Sequence, residues 1–193
     1  SLVGSEMCIR DRNKAYALLT GGPTVFITSR SPEGRDNVMA NAWNTLFNMD
    51  PTQVIVVFDL GHDSTKNIIA SGEFGISVPG NALKKGLIGA GTMHARDITE
   101  DKFAYAHLEK LPARQINASL VGGALAHLEC HIMDPELFAR TGIALAEVVA
   151  AQVEEDYWDG ASLICDNRPE QTLHSAGAYT YFPRGHVQPW SPR

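Results

Sequence analysis

Apolar and polar positions alternate over residues 24–30 (TVFITSR), a β-branched run that ends at the turn cluster Ser31-Pro32-Glu33-Gly34. Beyond it runs "GRDNVMANAWNTLFNMDP", residues 34–51, extended in pattern as far as a proline. Two such runs across a short turn predict a hairpin. Residues 53–59 (QVIVVFD) have no polar face, which predicts a strand buried on both sides at the centre of the sheet. Further strands are predicted over residues 73–78, 126–133 (AHLECHIM) and 143–155 (IALAEVVAAQVEE), although the alanines of the last also suit a helix.

Helical spacing and stop signals place short helices at residues 14–20, closed by Gly21-Gly22-Pro23, and from the Gly61-His62-Asp63 turn to about Ala70, closed by Ser71-Gly72. Two more are predicted at residues 81–90 and 99–108, the latter opening on a capping residue and early acids. Residues 110–124 read as loop, and the tail from Asp166 as loop with one strand at 178–182. Because the first strand pairs are close in sequence, the chain is expected to be mainly β with helical insertions. An antiparallel barrel is favoured over a doubly wound parallel sheet. Strands that close into a barrel must curve and bulge, so polar residues inside a strand have a place there.

Composition narrows the partners. The chain is 44% hydrophobic, which suits one domain with a sizeable core, and its net charge of -6 lacks the clustered basic excess that nucleic acid demands. Small molecules or protein are the expected partners. No apolar run approaches the roughly 18 residues of a membrane span, so a soluble protein with no membrane partner is expected. Residues 1–12 (SLVGSEMCIRDR) have no apolar signal core and resemble a translated adapter read-through. They are set aside as non-native or disordered, leaving 13–193 as the domain. Without them only Cys130 and Cys165 remain, too few for a disulfide framework and without metal-knuckle spacing. A reducing cytoplasm is the expected location.

Two stretches carry candidate chemistry. Gly61-His62-Asp63-Ser64-Thr65-Lys66-Asn67 joins a strand to a helix, where unpaired N–H groups, two hydroxyls and a lysine suit a phosphate; alternatively Asp63 or Ser64 is only the helix cap. In residues 34–51 four asparagines (Asn37, Asn41, Asn44, Asn48) sit where strands normally avoid them. Alternation puts Met39, Asn41, Trp43 and Thr45 on one face and Ala40, Ala42 and Asn44 on the other. Either a flat heteroaromatic ligand lies along this strand, its edge read by the amides, or the asparagines mark a bulge or an edge. His127-Leu128-Glu129-Cys130-His131 has metal-like residues, but Cys130 points opposite to the others, so a solvent-facing or partner-facing strand is preferred and no metal is expected. The glycines of Gly86-Leu87-Ile88-Gly89-Ala90-Gly91 follow a helical run, so the dinucleotide fingerprint fails.

In this order the segments "TVFITSRSPEGRDNVMANAWNTLFNMDP", "VIVVFDLGHDSTKNIIASGEFGISVP", "GTMHARDITEDKF", "AHLEC" and "AEVVAAQVEED" resemble the flavin reductase-like family, from about residue 14 to 153. The resemblance implies the FMN-binding split β-barrel and a homodimer with FMN near the subunit interface. It implies that the flavin ring lies against Asn41, Ala42, Trp43 and Asn44 and the phosphate near His62, Ser64, Thr65 and Lys66. The chain departs from the family at His62 and Thr65 and at "PELFARTGIAL", while "TLHSAGAYTYFPRG" resembles a subgroup whose tail covers the flavin. The function implied is an NAD(P)H-dependent flavin reductase, with NADH or NADPH as hydride donor. Because the flavin performs that chemistry, no catalytic side chain is required, with His94 or His127 as candidates to gate the nicotinamide. An FMN-carrying electron-transfer protein of flavoredoxin type, without nicotinamide oxidase activity, is the alternative, and a non-flavin binding module of the same barrel a further one.

Overall fold

The structure is a computed structural model that describes residues 22–175 and 181–183. The predicted helix at 14–20 and the segment 1–12 lie outside the described residues. The hairpin is present: β1 (Val25–Arg30) pairs antiparallel with β2 (Asp36–Asn41), Val25 opposite Asn41. The chain continues almost at once into β3 (Asn44–Met49), then turns into β4 (Thr52–Val57). Next come α1 (Asp63–Ser71), β5 (Glu73–Val78), α2 (Lys84–Thr92) and α3 (Lys102–Tyr105). A small pair, β6 (Lys110–Leu111) and β7 (Leu120–Val121), precedes β8 (Ala126–Ile132), α4 (Pro135–Thr141) and β9 (Ile143–Val153). Two short strands, β10 (Leu173–Ser175) and β11 (Tyr181–Pro183), pair near the end.

The main sheet has seven antiparallel strands in the order β2-β1-β5-β8-β9-β4-β3. Its two end strands, β2 and β3, are consecutive in the chain and separated only by Ala42 and Trp43. One bent strand therefore joins both ends of the sheet and closes it, as the curvature of a small barrel requires. Asparagines make the corner. Asn41 Nδ2 donates to Val57 O of β4 at 2.9 Å, Asn41 Oδ1 accepts the Trp43 N–H at 2.9 Å, and Asn44 Nδ2 donates to Pro23 O at 3.0 Å. This corner breaks the expected alternation: Asn41 is buried while Trp43 is 62% exposed. Bulges bend the wall at Leu46/Asn48 and across Glu129/Cys130, where β9 gains a residue.

The barrel interior is filled by Val25, Ile27, Val54, Val56, Ile76 and Cys130, with Phe58 plugging one end edge-on against Phe74 and Phe138. The opposite face of β1 and β2 carries Phe26 and Val38 beneath α2 and α3, packed on Leu87, Ala90 and Phe103. β1 is thus buried on both sides, while β4, expected at the centre, lies next to the closing strand. On α2, a β-carbon at Gly86 would meet Ala106 O at 3.1 Å and one at Gly89 would meet Ala106 Cα at 3.3 Å. The glycine-rich run therefore serves close helix packing.

Other departures have local causes. Residues 143–153 form a strand despite their alanines, because pairing with β4 and β8 overrides helix propensity. The helix expected from Thr99 starts at Lys102, since Asp101 accepts the N–H groups of Phe103 and Ala104. α4 was not expected, although Asp134 caps it, Pro135 begins it and Gly142 ends it at φ 75. His127 and Glu129 are buried, not solvent-facing, and only His131 on that face is exposed. No described helix is long and apolar enough to cross a membrane.

Candidate functional site

The turn after β4 is pinned from its own residues. Asp59 O accepts the Thr65 hydroxyl at 2.6 Å, and Asp59 Oδ1 accepts the Gly61 N–H at 2.7 Å. α1 then begins with His62 as N-cap, whose ring makes no capping hydrogen bond, so neither Asp63 nor Ser64 is the cap. The Asp63 carboxylate is drawn sideways: Oδ2 accepts the Arg96 N–H at 3.1 Å and Oδ1 accepts Arg96 Nη1 at 2.9 Å. A helix start without a side-chain cap leaves N–H donors and the positive dipole end for a ligand.

Beside this start lies a cavity of about 280 Å³, walled by Asn37 and Ala40 of β2, His62 and Ser64 of α1, His94 of the α2–α3 connection, and Lys102. Its polar groups are unevenly satisfied. Asn37 Nδ2 donates to Ser64 Oγ at 2.8 Å, which leaves the Ser64 hydroxyl proton free to donate. Asn37 is 4% exposed, and its Oδ1 has no partner among the described residues. Lys102 is 5% exposed, and its ammonium makes no hydrogen bond or ion pair among the described residues. Burial pushes the Lys102 pKa down to about 8, opposed only in part by the field of Asp63. His62 lies 5.4 Å from His94, ring centre to ring centre. Burial holds its pKa below the usual range, aided by His94, Lys102 and Arg96 and opposed by Asp59.

The residues expected at a ligand are therefore distributed along a path. His62 and Ser64 border the cavity, and so does Ala40, after which Asn41, Ala42, Trp43 and Asn44 continue the strand around the corner. Thr65 is fully buried with its hydroxyl on Asp59 O, and Lys66 opens onto the neighbouring polar groove, its ammonium 3.9 Å from Asp63. Both ends of the Asn41 amide have internal partners at the corner, Nδ2 on Val57 O and Oδ1 on the Trp43 N–H, and the Asn44 Nδ2 donates to Pro23 O and Asn41 O. His94 borders the cavity, whereas His127 does not; its Nδ1 is 2.9 Å from Ser77 Oγ inside the sheet. Lys102 is the residue that motif reading missed. Its signal was the Asp101-Lys102-Phe103 triplet, a lysine between a helix cap and a core phenylalanine.

The arrangement can hold an anion: a cation, a hydroxyl and a helix N-terminus converge, and one unpaired acceptor awaits a donor. Comparison with known proteins agrees with the barrel and extends the match beyond residue 153. The family model described as flavin reductase like domain matches residues 18–179. An uncharacterised Escherichia coli K12 protein, YddH, is 31% identical over 175 residues, covering 89% of this chain and 91% of that protein. The solved FMN-binding domain of a flavin reductases-like enzyme from Shewanella baltica superposes with TM-score 0.82 at 28% identity, covering 92% of this chain and 94% of the other. Flavoredoxin of Desulfovibrio vulgaris has TM-score 0.80 at 21% identity, covering 96% and 97%. With its closed antiparallel barrel and a family match spanning most of its length, this chain belongs to the flavin reductase-like family.

Proposed function

We propose that this chain binds FMN and acts as a flavin reductase that takes hydride from NADH or NADPH. The observation that carries the reading is the convergence of the Lys102 ammonium, the Ser64 hydroxyl and the uncapped start of α1 beside the unpaired Asn37 carbonyl. The donors suit a phosphate, and the lone acceptor suits a hydroxyl of the ribityl chain. A cavity of about 280 Å³ takes the phosphate and polyol end of such a ligand. The ring then runs outward along Asn41, Ala42, Trp43 and Asn44, with the exposed Trp43 as its apolar wall, while Thr65 and Lys66 support the phosphate end from behind and from the groove. Bound FMN supplies the hydride acceptor at its ring, and the protein's part is to hold both ends and exclude water.

Exposed Trp43, Leu46, Phe47 and Met49 along and beside β3 support a homodimer through this edge, which brings a second copy to the ring. Buried free Cys130 and Cys165 support a reducing, cytoplasmic setting.

Two measurements test this reading. Anaerobic addition of NADH or NADPH to the flavin-loaded protein is expected to bleach the flavin band. Binding of FMN without bleaching by either nucleotide would leave the chain an FMN-carrying electron-transfer protein, and failure to bind FMN would reject both. Ser64→Ala is expected to weaken FMN binding by about 1–2 kcal/mol through loss of a charge-assisted hydrogen bond. Thr65→Val is expected to lower thermal stability instead, because its hydroxyl serves Asp59 O; calorimetric titration and thermal melts of both variants separate the two roles.

A further inference from the structure

The carboxylate of Asp63 is out of place at an anion site. It borders the same cavity as Ser64 and Lys102, and it lies in the first turn of α1, where any phosphate would compete with it for the helix dipole and for Lys102. Its neighbours resolve the conflict. Arg96 grips both carboxylate oxygens, through its backbone N–H at 3.1 Å and Nη1 at 2.9 Å, and the same Nη1 donates to Gly61 O at 3.0 Å. The other cations facing Asp63 do not replace it: Lys66 stands 3.9 Å away with its side chain 64% exposed, and Lys102 makes no ion pair among the described residues.

We infer that Arg96 sets the anion affinity of this cavity indirectly, as a positioning residue that masks Asp63 and fastens the 92–98 connection beside the α1 start. With Arg96 in place, Asp63 is neutralised and the Lys102 ammonium is left for the ligand. Without it, Asp63 becomes a bare carboxylate on the wall of the cavity that takes the anion, where the roughly 8 Å screening length of physiological salt leaves its repulsion largely unscreened. Asp63 then repels the ligand and draws Lys102 to itself. The inference rests on the phosphate assignment above, and riboflavin, which is FMN without its phosphate, separates failure of the two.

The test is a double-mutant cycle read by quenching of flavin fluorescence. Arg96→Ala is expected to weaken FMN binding by about ten- to a hundredfold, as an unmasked like charge should. The double variant Asp63→Asn with Arg96→Ala is expected to return to within about threefold of the wild type, because no charge is left to mask. Riboflavin binding should move in neither variant, and the Arg96→Ala deficit should shrink in high salt. A double variant as weak as Arg96→Ala would overturn the masking role and show that Arg96 acts through its own charge or through loop order. Equal wild-type affinity for FMN and riboflavin would instead overturn the phosphate assignment. Should Arg96→Ala melt before it can be titrated, Arg96→Gln, which keeps a donor for Gly61 O without the charge, gives the same comparison.

Discussion

Glu129→Ala is expected to lower the free energy of unfolding by about 3–5 kcal/mol, a large share of the roughly 5–15 kcal/mol that holds a domain folded. Glu129 is fully buried and accepts the N–H groups of Arg114, Gln115 and Ile116 at 2.6–3.1 Å, along with Gln152 Nε2 at 3.2 Å. Three successive backbone donors on one carboxylate anchor a loop that has no regular structure of its own. Glu73 and Asp36 extend the anchor by accepting the N–H groups of Asn117 and Ser119. Truncation strands the donors inside the protein, and urea unfolding followed by circular dichroism measures the loss. Burial alone would raise the Glu129 pKa, but the hydrogen bonds from Gln115, Arg114, Ile116 and Gln152 outweigh it and hold the carboxyl below its usual range. For an acid depressed on folding, the stabilisation is present above the unfolded pKa of about 4.3 and lost as pH falls through the folded value. The gap between wild type and variant should therefore narrow as the pH is lowered from about 6 to about 3. A gap that stayed constant would mean that the loop is held by something other than the ionised carboxylate.

Lys102→Met is expected to move stability and binding in opposite directions. The folded protein holds Lys102 with a pKa of about 8 in place of 10.5, so below pH 8 folding keeps a charge in a site that disfavours it. A base depressed on folding destabilises most at low pH, and the penalty fades as pH rises from the folded toward the unfolded value. Methionine removes that penalty, so the flavin-free variant should be more stable at neutral pH by about 1–3 kcal/mol, read as a rise in melting temperature. FMN affinity should fall by about 1.5–3 kcal/mol, the range for a hydrogen bond to a charged group. The wild type should also bind FMN less tightly as pH rises through about 8, with a flatter profile in the variant. A buried, unpaired ammonium that stabilised the flavin-free fold and left FMN affinity untouched would be structural, and the phosphate assignment would lose its main support.

Lys102 also shows where legibility stops. Its triplet Asp101-Lys102-Phe103 was visible as a family motif, and Asp101 as a helix-starting acid, yet nothing local says that the lysine is buried beside Ser64, which comes 38 positions earlier. Thr65 and Ser64 were equivalent as neighbouring hydroxyls. Only the path of the turn commits Thr65 to Asp59 O and leaves the Ser64 proton available. The asparagines of residues 34–51 were correctly marked as unusual for a strand, and a bulge or edge was one of the two readings. Asn41 and Asn44 close the barrel at a corner through Val57 and Pro23, partners far along the chain, whereas Asn37 donates to Ser64 at the cavity and Asn48 to Asp50 O.

By itself, then, the sequence determined the β1–β2 hairpin, the course of α1 and β5 and the family. Each of these is written in short-range signals: period-two alternation, caps and stops, and an ordered set of motifs. Only the tertiary structure decided that residues 143–153 are a strand, how one bent strand joins the two ends of the sheet, which amide groups are consumed at that corner, and that Arg96 pairs with Asp63. Those outcomes belong to contacts between residues distant in the chain, where burial and competition among partners choose one bond from many that the residue types allow.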